Sequence, residues 1–256
     1  MDAILTQSLA GGGPLPERSG QPRKSDPWDS GMWAYHREDH LGDPSDWVFD
    51  PRIVVLAPAS AEDAMHVPFL VDATALAEPV TRMVVTIDYS PIPKVLTFYP
   101  GRAAPLLGFG VKYEVGSVLR ASCEHASGQW SCGGANVDAL GGGCSAPAAA
   151  HARPDWQVGF GEMRGRLWPE TCRARIWLRH PQDTGLADGI PAHHLTELTL
   201  QDPFGDVICR MDMHEPVEEN PALTFLLPSE LSAGPVSVAA RDNMGNVFRG
   251  RLEAGA

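Results

Sequence analysis

A chain of 256 residues, 43% hydrophobic and 20% charged, is long enough for two globular domains, each able to bury its own core. Its formal net charge of −12 excludes nucleic acid and anionic membrane as natural partners and leaves solubility or a basic partner as the use of that charge. Gly at 26 and Pro at 23 favour many short strands joined by turns, and no apolar run approaches the ~20 residues that cross a bilayer.

Residues 1–25 are rich in Gly, Pro and Ser without periodicity and predict a disordered tail. The opening Met1-Asp2-Ala3-Ile4-Leu5-Thr6-Gln7 lacks the charged and apolar regions of an export signal. A short helix is expected from Met32 to Leu41, with Asp29 or Ser30 capping its start, Gly42 its end, and Trp33 or Tyr35 docking it.

From Pro51 the pattern turns to strands. Arg52–Leu56, His66–Asp72, Thr81–Tyr89, Lys94–Tyr99, Leu106–Val115, Ser117–Glu124 and Gln129–Ala139 are short, rich in β-branched or aromatic residues, and separated by turn signals. Residues 140–155 form a Gly/Ala/Pro/Ser linker, and the β rhythm then resumes. The later strands are Glu162–Leu167, Cys172–Leu178, Leu195–Gln201, Asp206–His214, Leu223–Leu227, Val236–Arg241 and Val247–Leu252. Asp202–Asp206 and Asp242–Asn246 read as hairpin turns. The expected architecture is all-β: two immunoglobulin-like sandwiches, 26–139 and 156–256, a cysteine-bearing linker between them, and one short N-terminal helix.

Five cysteines leave one unpaired whatever the pairing. Cys144 follows Gly141, Gly142 and Gly143, a hinge free to visit most backbone conformations, whose extended arm would reach on the order of 13 Å. Its thiol is therefore expected to be exposed and mobile; the competing reading is a plain linker with an incidental cysteine. Cys123 and Cys132 bracket a hairpin and either form a disulfide or remain two half-buried thiols. Cys172 and Cys209 fall on inner strand faces and read as core. His36 and His40 at helical spacing, and His193-His194 near Glu197, lack the companions of a metal motif and are expected to be solvated, with no metal ligand assigned. No nucleophile elbow, phosphate loop or dinucleotide fingerprint occurs, so no self-contained active site or cofactor is expected. A thiol–disulfide oxidoreductase is disfavoured by the lack of Cys-x-x-Cys.

The segment Gly142-Gly143-Cys144 resembles the cysteine arm of SoxY, the sulfur-carrying subunit of the bacterial sulfur-oxidising system. Ala61-Glu62-Asp63, Val67-Pro68 and Ser90-Pro91-Ile92-Pro93-Lys94 fit the SoxY body. His180-Pro181-Gln182-Asp183-Thr184-Gly185, Glu219-Asn220-Pro221 and Asp242-Asn243-Met244-Gly245-Asn246 resemble SoxZ. With Asp26-Pro27-Trp28-Asp29-Ser30 and Met32-Trp33, the chain from Asp26 onwards resembles the fused SoxYZ-like carriers associated with quinoprotein dehydrogenases. The resemblance implies a periplasmic, non-catalytic carrier that holds a sulfur intermediate covalently on Cys144 and presents it to sulfur-oxidising or quinoprotein dehydrogenase partners. The alternative is an accessory binding module of a periplasmic quinoprotein system. Here Ser145-Ala146-Pro147 and a second domain follow the cysteine, so the arm is a loop and not a free terminus.

Overall fold

The computed structural model describes residues 20–152 and 154–254. The first half contributes β1 (Trp47–Phe49), β2 (Val54–Leu56), β3 (Val67–Asp72), β4 (Val80–Ile87), β5 (Lys94–Tyr99), β6 (Leu106–Val111), β7 (Ser117–His125) and β8 (Trp130–Val137). The second contributes β9 (Met163–Trp168), β10 (Arg173–Leu178), β11 (Leu195–Gln201), β12 (Val207–Met213), β13 (Ala222–Leu226), β14 (Val236–Asp242) and β15 (Val247–Leu252).

The halves share both sheets. One sheet has nine strands in the order β1-β8-β7-β4-β5-β12-β11-β14-β15, and the other six in the order β2-β3-β6-β13-β10-β9. The first crosses between the halves at β5–β12, where Tyr99 pairs with Arg210 and Leu96 with Met213. The second crosses at β6–β13, where Gly108 pairs with Thr224 and Leu107 with Phe225. A single hydrophobic core therefore runs through the sandwich, with Phe98 and Phe225 meeting across the junction at 5.9 Å between ring centroids.

The two Asp-led turns close alike. Asp202 Oδ1 accepts the N–H groups of Phe204 and Asp206, and Asp242 Oδ1 those of Met244 and Asn246, with Gly205 and Gly245 in the left-handed region.

At the end formed by β8, β7 and β4, the outer face of the nine-stranded sheet is covered by the N-terminal segment. Helix α1 (Trp33–His36) runs into a π-helical turn over Arg37–Leu41 that Gly42 ends at φ +83°. Neither expected cap starts it: the Ser30 hydroxyl instead donates to Asp88, at 2.5 Å. Trp33 docks the helix and Tyr35 stays exposed. His36, expected in solvent, is buried and bonds Asp88 at 2.7 Å, because its side of the helix faces the sheet. Beneath lies Arg120, fully buried, bonded on one side to both carboxylate oxygens of Asp88 and on the other to both of Asp26. Trp28 and Trp33 flank its guanidinium at 5.1 and 5.7 Å.

The tail expected over 1–25 falls largely on residues outside those described; within it, Arg23 exchanges main-chain hydrogen bonds with Phe49. Strand β1 was not expected from the sequence. It is three residues long and pairs in parallel with β8.

Two expectations about Cys123, Cys132 and Cys172 need correction. Cys123 stands opposite Ser131 and Cys132 opposite Ser122, so the two cysteines are offset by one residue and point to opposite faces of the sheet. No disulfide can join them; Cys123 sits in the main core and Cys132 in the cluster under Trp33. Cys172 is half-buried at φ +56°, ending a 3₁₀ turn one residue before β10, and so misses the inner face that Ala174, Ile176 and Leu178 occupy. Cys209 is core, as expected.

Candidate functional site

Past the end of β6 the chain continues as Lys112-Tyr113-Glu114, and the glycine segment lies along it. Gly142 N–H donates to Glu114 O at 3.1 Å and Gly143 N–H to Tyr113 O at 2.8 Å. The Glu114 carboxylate then accepts the N–H groups of Cys144 and Ser145 through Oε2 and the Ser145 hydroxyl through Oε1. From the second half, the Thr184 hydroxyl donates to the Cys144 carbonyl at 2.5 Å.

The expected exposed thiol is buried instead. Cys144 has no accessible surface, and its Sγ–H points to the main-chain carbonyl of Lys112 at 3.4 Å. Burial first, and the Glu114 charge second, push the thiol up to about 11, with Lys112 and Ser90 acting in the opposite direction. The glycines have a second purpose besides freedom. A Cβ on Gly143 would lie 2.1 Å from Ala64 O, and one on Gly141 2.3 Å from Glu114 O. The segment can dock only because these positions carry no side chain. Leu140 and Gly142 remain exposed, beside a groove of about 330 Å³ that Glu62, Asp63 and Met65 help to line.

Beyond the cysteine, the linker is held by carboxylates of the second half. Asp183 accepts the Ala148 N–H at 3.3 Å and pairs with His151 at 2.7 Å, while Glu219 takes the N–H groups of Ala149 and Ala150. Lys112, fully buried, donates to Gln182 O. Among the described residues it has no ion pair, and burial lowers its pKa against the pull of Asp183, Glu219 and Cys144.

His193, expected in solvent, instead joins a second cluster with His180 and Asp242. His193 Nε2 lies 3.0 Å and His180 Nε2 3.5 Å from Asp242 Oδ2, and the ligand atoms of all three lie within 4.8 Å of one another. That spacing would suit a cation, but the N–H of Gln182 donates to His180 Nδ1. The neutral ring then carries its proton on Nε2, directed at Asp242, which makes it a hydrogen-bond donor and not a ligand. Asp242 also closes its turn through Asn246, so the cluster braces the loop that holds the arm.

Comparison with known families decides what this arrangement belongs to. Residues 37–144 match the model of sulfur oxidation protein SoxY, and residues 165–253 match that of sulphur oxidation protein SoxZ. The chain belongs to the fused SoxYZ-like carrier proteins of sulfur oxidation. No curated protein matches it significantly. Its two sheet-rich halves are the immunoglobulin-like SoxY and SoxZ units. The SoxY match runs up to Cys144, and the SoxZ-like motifs His180–Gly185 and Glu219–Pro221 supply Thr184, Asp183 and Glu219, the residues that hold the SoxYZ-like arm. Those motifs are visible in the sequence, but their task of holding the arm is not. Glu114 and Lys112 belong to no such motif, and because lysine is so rarely buried, the apolar run Leu106–Val111 before it gives no sign that Lys112 is a core residue.

Proposed function

We propose that Cys144 is the covalent attachment point for the carried sulfur, and that the docked arm is its closed state. The observation that carries this reading is the seating of the thiol: it is dry, on a segment made of three glycines, and held by hydrogen bonds that a short displacement of the loop would break. With thiosulfate, the thiolate sulfur forms a bond to the outer sulfur of the anion. Cys–S⁻ and S₂O₃²⁻ give Cys–S–S–SO₃⁻, and the two electrons released pass to two equivalents of an external one-electron acceptor. The product keeps one negative charge, which the Lys112 ammonium next to the thiol would balance.

In this reading the protein has no catalytic centre and needs no cofactor; partner enzymes load and unload the arm. Those partners are sulfur-oxidising or quinoprotein dehydrogenase proteins, and the compartment is the periplasm. Gly141, Gly142 and Gly143 act as the hinge. Intact mass after incubation with thiosulfate and ferricyanide tests the assignment. A thiosulfate adduct is expected on the wild-type protein and none on Cys144→Ala; equal mass gain by both would exclude Cys144 as the carrier.

A further inference from the structure

Strands β9 and β10 form the far edge of the six-stranded sheet, and their register sorts side chains sharply by face. Leu167, Ala174, Ile176 and Leu178 point into the core. On the outside, Arg164 stands opposite Trp177, Arg166 opposite Arg175, and Trp168 opposite Arg173. Arg164, Arg166 and Arg175 are exposed, and the other three are half-buried. The guanidiniums of Arg173 and Arg166 lie over the Trp168 ring at 4.0 and 5.2 Å, and that of Arg164 over Trp177 at 5.7 Å.

This face is not balanced by the chain itself. Like charges directly opposite on antiparallel strands are destabilising, and Arg166 and Arg175 are so placed. Arg164 has Glu162 at 2.7 Å. Among the described residues, no carboxylate comes within ion-pair distance of Arg166, Arg173 or Arg175; Glu170 and Glu218 act on Arg173 and Arg175 only from farther away. Arg173 Nε is buried without a hydrogen-bond partner. Four arginines gathered with two tryptophans, on a chain with a net charge of −12, form a local inversion of the surface.

We infer that the outer face of β9–β10 docks an acidic segment of a partner protein. Carboxylates would take the guanidinium forks, which match their planar geometry, and Trp168 and Trp177 would supply the apolar contact. β13 lies alongside with Ala222 and Leu226 half-buried and Thr224 buried opposite Arg175, so the exposed arginines stand at the open edge of the sheet. An extended polyanion such as nucleic acid is disfavoured, because the acidic remainder of the surface repels it.

The test uses the full chain and a fluorescein-labelled oligoglutamate peptide of about a dozen residues, followed by anisotropy at low salt. Binding is expected that weakens as salt is added and falls at least 10-fold in Arg166→Ala/Arg175→Ala, whose circular dichroism should be unchanged. Peptide-dependent quenching of tryptophan emission should be reduced in Trp168→Phe. Equal binding by the double variant would overturn the inference, as would heparin binding more tightly than the peptide.

Discussion

The thiol of Cys144 donates to the main-chain carbonyl of Lys112, so the residue expected to swing free rests against the strand extension beneath it. Raised to about 11, the thiol favours its protonated form in the folded state. The stability this contributes is complete below the thiol's ordinary value, near 8.5, and is lost as pH rises towards 11. Alkylation of Cys144 by iodoacetamide at pH 8 should run roughly 100-fold slower than that of a free cysteine, since only about 0.1% is thiolate. The rate should climb steeply as pH rises. Mass spectra over time, read against Cys144→Ala, check this; alkylation at the free-thiol rate would mean that the arm is undocked.

Docking depends on the absence of one side chain and the presence of one hydroxyl. Gly143→Ala places a methyl against Ala64 O and should unseat the arm, raising Cys144 alkylation at pH 8 at least 10-fold while the unfolding midpoint barely moves. Thr184→Val removes the hydrogen bond to the Cys144 carbonyl. Its loss, worth about 1 kcal/mol, should accelerate alkylation roughly five-fold.

His180 is lowered to about 4, first by burial and then by His193. Its unfolded value is higher, so the stability linked to its neutral form is complete above about 6.5 and is lost as pH falls towards 4. Between pH 7 and 4.5 this single group should cost roughly 2–3 kcal/mol in urea unfolding. His180→Gln should flatten that part of the profile, and an unchanged slope would remove His180 as its source.

The buried Arg120 bridges Asp88 and Asp26. Burial opposes the Asp88 charge, but His36 and Arg120 bonded to its carboxylate hold it down to about 2. Arg120→Met leaves that carboxylate short of a cation and should cost about 3–5 kcal/mol by denaturant unfolding, with the N-terminal segment losing protection from proteolysis first. Adding Asp88→Asn to the same variant should recover part of the loss.

The second-half strands are legible because, as in Arg173–Leu178 and Val236–Asp242, buried and open positions alternate, and the turns Asp202–Asp206 and Asp242–Asn246 carry Gly, Asn or Asp at fixed places. The first-half strands, buried along nearly their whole length, are legible only as short β-branched and aromatic runs between turns. The joining of the sheets is not. Pairing of Leu96 with Met213 joins residues far apart in sequence, and strand periodicity says nothing about which edges meet. Trp47–Phe49 escaped because three residues carry no period. In the site, Gly141–Gly143 reads as freedom, because a sequence does not distinguish a glycine needed for motion from one needed for close approach to Ala64 O. His36 and His193, expected in solvent, are held instead by Asp88 and Asp242, which lie 52 and 49 residues away in the chain.

The ladders between β5 and β12 and between β6 and β13 hold the two halves together without help from the covalent connection. The connection is then mechanically redundant: severed, it would leave an assembled pair. A stretch of chain that bears no structural load is free to be shaped by another demand, and here it carries Cys144, held by Glu114 of one half and Thr184 of the other.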